Sequence, residues 1–428
     1  MADIYPFRAI RYSQRELSRL VAPPYDILDE PDKRALLAKD AHNIVAVDLP
    51  HTPPKEAGPD SVYAAAAATL AGWQQDGTLR QDAAPAIYAY HQHFKVDGVE
   101  RVRRKFFARL HLEEFGAGKV FPHEQTFGGP KEDRLRLTRA TRCNLSPIFG
   151  LYTDPPGAVA EALAAVTTRQ PDASAVADGV DNRLWVVADP AVIERVRGLL
   201  ADKAIFIADG HHRYGTALNY RRELIQHHRT LPATHPANSV LCVFCAMEDP
   251  GAIILPTHRV LVDLPGLGER LGDALSERFS MTASAATDGA AFVAELARGG
   301  PQAIGLFSGA TGRFALLRPK QADCLAELEP HRAAAWRGLS YAILHRAIID
   351  EVITPRLAGG KPPTIHYVKP LPDTLAEARQ SRGAAFIMQA CTMGELRAVC
   401  TAGELMPQKT TYFFPKLATG MVLSPLHD

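Results

Sequence analysis

Two rhythms of apolar and polar positions alternate along this chain. Short apolar runs predict strands at Ile4–Ile10, Ile44–Leu49, Ile87–Val96, Val102–Leu112, Leu184–Ala188, Ala204–Ala208 and Ser239–Met247. Apolar residues three and four apart predict helices at Glu30–Lys39, Ser61–Gln75 and Pro190–Asp202, and one running on to about Arg229. Asp97-Gly98 between two of the strands predicts a tight hairpin. Pro23-Pro24 keeps Val21–Leu28 extended. Further strands are expected at Ala252–Leu255, Ile304–Phe307, Phe314–Arg318, Ile365–Val368 and Ala385–Gln389, with one long amphipathic helix at Ala334–Ile353. The class is mixed α/β.

One junction between the rhythms is unusually charged. The run Ala204–Ala208 stops at Asp209-Gly210-His211-His212-Arg213, and a helical pattern with Ala217, Leu218 and Leu224 on one side follows. A strand that turns through Gly into a helix presents backbone N–H groups at the helix start, and that end favours anions. Two imidazoles and a guanidinium fork add to it, so His211, His212 and Arg213 are candidate phosphate ligands. Asp209 can orient a histidine or take a proton. If Leu184–Ala188 and Ala204–Ala208 are parallel, the strand–helix–strand order predicts a right-handed crossover.

Composition changes the picture little. The 428 residues are 46% hydrophobic and 22% charged with a net charge of +1. That balance gives no electrostatic case for nucleic acid or an anionic membrane surface. No apolar run is long enough for a bilayer, no signal peptide is visible, and the six scattered cysteines suggest no disulfide framework, so a reduced cytoplasm is expected. Cys242 and Cys245 read as buried strand thiols. Gly157–Gly179, rich in Ala, Pro, Thr and Asp, reads as a helix and a linker; the boundary expected there divides a lobe of residues 1–180 from an α/β lobe of residues 181–428.

Other polar clusters join the candidates. His123-Glu124 lies in a loop ahead of a basic stretch containing Arg134, which suits recognition of a carboxylate or phosphate with Glu124 as base. His258-Arg259 is a second His-Arg element at a strand end. His91 and His93 share a strand face but lack a third ligand nearby, so no metal site is expected. Walker, G-x-G-x-x-G, G-x-S-x-G and protein-kinase motifs are absent.

Six segments carry a resemblance: VAPPYDIL from Val21, FPHEQT from Phe121, KEDRLRLTRATRCNLSPIFGLY from Lys131, ADGHHRYGTAL from Ala208, LPTHRVL from Leu255 and MPQKTTYFFPKLATGMVL from Met406. In this order, over nearly the whole chain, they resemble the bacterial and archaeal family called domain of unknown function 1015. The short Asp-Gly-His-His-Arg piece is similar to the phosphate-binding box of the ParB/sulfiredoxin superfamily, which includes ADP- or ATP-dependent free serine kinases. The resemblance implies a two-lobed α/β protein with a ParB/sulfiredoxin-like nucleotide-binding core. It adds Asp26, Asn144, Lys409 and Lys416 to the candidate ligands, since each lies in a signature segment.

These readings converge on a nucleotide-dependent phosphotransferase for a small metabolite. Asp209, His211 and Glu124 are the candidate catalytic groups. Gly210, His212, Arg213, His123, Arg134, Asn144, Asp26, His258, Lys409 and Lys416 are the candidate binding residues. ADP or ATP would be the phosphoryl donor with Mg2+, and serine the acceptor that the kinase resemblance implies. A phosphoserine-type phosphomonoester hydrolase and a nucleotide-sensing module without turnover remain open beside it. His123–Glu124 and Asp209–Arg213 are expected to share one cleft.

Overall fold

The computed structural model describes residues 3–54, 56–125 and 128–427; Thr126, the last residue of FPHEQT, lies outside them. The chain divides into two compact units, Met1–Ile253 with Pro415–Asp428 and Ile254–Phe414. The boundary expected near residue 180 is corrected by this division. Residue 180 lies instead at a hairpin, because Asp178 and Gly179 both adopt positive φ (50° and 73°), the backbone of a two-residue turn between strands. What reads as linker therefore contains the strand Ala173–Ala177.

The first unit is built on a nine-stranded mixed sheet. Its strands are β1 (Ile4–Tyr5), β2 (Ile87–Val96), β3 (Val99–His111), β4 (Val120–Phe121), β5 (Ile148–Tyr152), β6 (Ala173–Ala177), β7 (Val180–Val187), β8 (Ile205–Asp209) and β9 (Ser239–Ala246). Their order is β4-β8-β5-β9-β3-β2-β7-β6, with β1 on β3. Pairs β4–β8 and β5–β9 are parallel and the others antiparallel. Asp97 and Gly98 make the expected turn between β2 and β3, again with both φ positive. Strands β7 and β8 are not neighbours, since β5, β9, β3 and β2 intervene, but the pairings between them make the two run parallel, so the helix between them is a crossover connection within one sheet.

Helices α1 (Val45–Asp48), α2 (Gly128–Thr141), α3 (Ala158–Thr167), α4 (Pro190–Leu200) and α5 (His211–His228) accompany the sheet. Apolar residues of α3, α4 and α5, among them Leu163, Val196 and Tyr214, pack with Phe106, Trp185 and Ile207 in the main core. The Ile44–Leu49 run is helix and not strand. A run this short is ambiguous by periodicity, and Asn43 decides it: its Oδ1 accepts the Val45 N–H at 3.0 Å while its Nδ2 donates to Arg19 O and Val21 O. The C-terminal segment returns to this unit. Thr419 bridges to Ala22, Leu423 to Ile10, and Ser424–Pro425 pairs with Cys143–Asn144.

The second unit carries a six-stranded antiparallel sheet in the order 279–283, 314–319, 304–308, 384–387, 258–261, 365–368. Its core includes Phe292, Leu296, Phe307, Phe314 and Ala378. The single long helix expected over Ala334–Ile353 is broken. Short helices at Ala334–Arg337 and Ser340–Ile343 are separated by Gly338 and extended Leu339, and Leu344–Leu357 is wound wider, its end marked by the Ala358 N–H reaching Ile353 O five residues back. No helix among the described residues is long and apolar enough to cross a membrane.

Candidate functional site

Strand β8 ends at Asp209, and α5 begins two residues later at His211. Gly210 makes the junction with φ 88°, in the left-handed region. A Cβ there would lie 3.0 Å from Arg213 Nε and 3.1 Å from Ile148 Cα, so conformation and space both require glycine. The turn delivers Asp209 between two cations: Lys416 Nζ donates to Oδ1 and Arg213 Nη2 to Oδ2. Arg213 Nη1 also donates to Pro147 O. Burial alone would raise the Asp209 pKa. Lys416 and Arg213 outweigh it and hold the carboxyl well below the usual carboxylate range. Such a carboxylate is a weak base, so the geometry favours an orienting role over the proton-accepting one.

His123, 88 residues earlier, reaches the same turn. Its backbone N–H donates to His211 Nε2 at 3.2 Å, and the two rings meet edge to face at 4.6 Å between centroids. His123 Nδ1 lies 2.6 Å from Ile207 O, which assigns the proton to Nδ1 and turns Nε2 toward Glu124 Oε1 at 3.8 Å. Burial pushes both histidines below the ordinary value, His211 far below. As neutral imidazoles, they bring no positive charge to a phosphate. His211 Nε2, already accepting a hydrogen bond, is poorly placed to carry a phosphoryl group. His212 is half-buried on the first turn of α5. The Glu124 side chain is 36% exposed, the most accessible carboxylate of this group.

A second buried network lies behind the turn. Arg134 Nη1 donates to Asp48 O at 2.6 Å and sits 3.4 Å from Asp48 Oδ1, and Nε donates to Asp133 Oδ2 at 2.8 Å. Its guanidinium carbon lies 3.9 Å from the Tyr25 ring centroid. Ser146 Oγ donates to Asp48 at 2.7 Å. Arg134 thus spends its donors inside the protein, which corrects its expected role as a substrate ligand. Asn144 is likewise engaged, accepting the Leu241 N–H at 3.0 Å. Asp48, Arg134, Asn144, Ser146, Arg213 and Thr216 are among the residues around a cavity of about 40 Å³. Asp26 is half-buried in a single turn, Tyr25–Ile27, beside the tyrosine under Arg134.

His258 and Lys409 belong to the second unit. His258 is buried and accepts the Met388 N–H at 3.1 Å; burial and Arg259 push its pKa down to about 4. Lys409 is exposed, and its carbonyl accepts from Arg259 Nη2 at 3.1 Å. Lys416 belongs to the first unit, with the Asp209 turn. Among the described residues no group of three or more His, Cys, Asp or Glu gathers to hold a metal ion.

Sequence reasoning missed Arg103, Lys105 and Gln92. All three are buried on adjacent strands, and Arg103 lies 5.1 Å above the Phe149 ring, the residue paired with Asp209 across the sheet. The available signal was Arg101, Arg103 and Lys105 on one strand face by the two-residue period, ahead of the apolar Phe106-Phe107-Ala108.

The model of the family described as "Protein of unknown function (DUF1015)" matches residues 4–341. The chain belongs to this family. No curated protein matches it. Among solved structures it is similar to a free serine kinase in complex with AMP, at 16% identity and TM-score 0.33, over 69% of this chain and 83% of that one. It is also similar to SbnI with C-terminal truncation from Staphylococcus aureus, at 12% identity and TM-score 0.35, over 72% and 84%. A conserved hypothetical protein from Pyrococcus furiosus gives 16% identity and TM-score 0.32, over 70% and 91%.

Proposed function

We propose that this protein is a nucleotide-dependent phosphotransferase acting on a small hydroxylated metabolite, with serine as the first acceptor to test. The observation that carries the reading is Asp209, held ionised between Lys416 and Arg213 at the head of an 18-residue helix. Phosphoryl transfer is mostly positioning and charge neutralisation. Lys and Arg present three and five N–H donors respectively, and Asp209 takes one from each. Its role is to fix where those cations stand. The terminal phosphate of ADP or ATP then sits on the N–H groups of the first turn of α5, with Arg213 and Lys416 beside it.

Glu124 takes the proton of the acceptor hydroxyl. It is the partly exposed carboxylate beside neutral His123, whereas Asp209 is too acidic for the task. The donor set fits poorly with a protein-held Mg2+: Asp209 is already shared by two cations, and no carboxylate cluster gathers among the described residues.

The test is a thermal-shift series with ADP, ATP and phosphate, with and without serine, followed by mass detection of phosphorylated product. A nucleotide at a hundred times its dissociation constant adds about 2.7 kcal/mol of stability. Nucleotide binding with product formation is the expected result. Binding without turnover makes the chain a sensing module, release of phosphate from phosphoserine without nucleotide makes it a hydrolase, and no shift with any nucleotide overturns the reading.

A further inference from the structure

We propose that Gln92 and Arg103 are positioning residues for Lys416, docking the returning C-terminal segment so that its ammonium meets Asp209. The inference rests on the reading of the Asp209 turn as a phosphate site only for its functional consequence; the clamp itself stands on geometry within the first unit.

The clamp starts at Asn182 on β7. Its Nδ2 donates to Ala175 O at 3.1 Å and Val180 O at 3.0 Å, which fixes the amide and turns Oδ1 inward. Oδ1 there accepts from Tyr90 Oη at 2.5 Å and from Gln92 Nε2 at 3.0 Å. The Gln92 amide is therefore oriented as well. Its Nε2 also donates to Lys416 O at 3.0 Å, and its Oε1 accepts from Arg103 Nη2 at 2.5 Å and from Lys105 Nζ. Arg103 Nη2 in turn donates to Pro415 O.

Two successive carbonyls, Pro415 and Lys416, are thus held by two buried side chains of the sheet. Gln92 and Arg103 are 1% and 0% exposed, so no water competes for those bonds. Backbone docking at residue 416 sets where its side chain starts, and Nζ ends on Asp209. A buried glutamine between two buried cations is costly to keep for packing alone. Here it has a directional task, because an apolar residue of the same size would hold neither the cations nor the carbonyl.

The variant that isolates the task is Gln92→Glu. It keeps an acceptor for Arg103 and Lys105 and removes the donor to Lys416 O, placing oxygen against oxygen. The full chain is treated with an amine-acetylating reagent, and Lys416 is followed by mass spectrometry beside exposed Lys95 and Lys361. In the unaltered protein Lys416 reacts more slowly than either reference. In Gln92→Glu its rate rises about fivefold, the equilibrium worth of one hydrogen bond, while Lys95 and Lys361 hold theirs. The carbon-13 signal of the Asp209 carboxyl titrates at higher pH in the variant, because Lys416 is the first cation holding it down.

Unchanged Lys416 labelling in a folded Gln92→Glu protein overturns the clamp. Lys416 reacting as fast as Lys95 in the unaltered chain overturns it without any variant, should Gln92→Glu fail to fold. ADP titrations run alongside separate the two claims: released Lys416 with no ADP binding in either protein keeps the clamp and removes the phosphate reading.

Discussion

Nε2 of His211 accepts the backbone N–H of His123 at 3.2 Å, joining the loop before α2 to the first residue of α5. The bond requires His211 to be neutral at that nitrogen. Burial lowers the pKa of both rings from the ordinary 6.5, and the neighbouring His123 lowers that of His211 further.

A pH dependence of stability follows. The folded-state pKa is depressed, so between that value and about 6.5 the unfolded chain binds protons the folded chain does not. The stability contribution is complete above about pH 6.5 and is lost as pH falls below it. His91, His258 and His345, each pushed down to about 4 by burial, act in the same direction. Each such histidine contributes a slope of about 1.4 kcal/mol per pH unit. His211→Gln keeps an acceptor for the His123 N–H and removes one titrating group. Its denaturation free energy should fall less steeply from pH 6.5 to 5 than that of the unaltered protein; parallel curves would show that His211 protonates freely in the fold.

Arg134 was a candidate ligand in the sequence and is a structural cation in the fold. Replacing it by Met removes the charge between Asp48 and Asp133 and leaves two buried carboxylates facing one another. Breaking a buried pair of this kind costs about 3–5 kcal/mol. Chemical denaturation should show that loss, and ADP affinity of the remaining folded protein should stay unchanged. A stable Arg134→Met protein with weakened ADP binding would return Arg134 to the ligand set.

The contrast between Arg134 and Arg213 shows what a sequence can and cannot say here. The strand–turn–helix around Asp209–Arg213 was legible because three local signals agree: an apolar run, a glycine and a helical period. The meeting of His123 with His211 was expected only from signature segments. The burial of Arg134 was not legible, since charge in a helix looks the same whether it faces water or Asp48. Lys416 was a candidate only through its signature segment, because nothing local marks that residues 415–428 return to the first unit. The Ile44–Leu49 run concealed Asp48, because the helix there is set by Asn43, whose bonds reach back to residues 19 and 21.

Asp209→Asn tests whether the carboxylate organises cations or acts on its own account. The change keeps the shape and leaves Lys416 and Arg213 facing a neutral amide. Losing one partner of this partly buried group leaves two neighbouring cations without their counter-charge, so the melting temperature falls. A bound phosphate brings negative charge back to the same two cations. With the carboxylate no longer fixing where those cations stand, ADP should still raise the melting temperature of Asp209→Asn by less than it raises that of the unaltered protein, and product formation should drop. A larger ADP shift in the variant would mean that the carboxylate competes with phosphate for the two cations.

Arg213→Lys separates charge from the guanidinium fork. In the fold Nη2 donates to Asp209 and Nη1 to Pro147 O, and the side chain is 10% exposed, so a solvated helix position is excluded. A lysine ammonium is a point charge that cannot reproduce the fork. The loss of one charge-assisted bond is worth about 1.5–3 kcal/mol, or roughly ten- to a hundredfold in affinity. Titration calorimetry with ADP on both proteins, beside melting curves, divides that loss between folding and binding. We expect a lower melting temperature and ADP affinity reduced at least about tenfold. Equal affinities with a lower melting temperature would confine Arg213 to orienting Asp209 and Pro147. Arg259 would not replace it as the phosphate fork: its donors go to Thr257 O, Gln408 O and Lys409 O, and its guanidinium carbon lies 4.5 Å from the Tyr341 ring centroid.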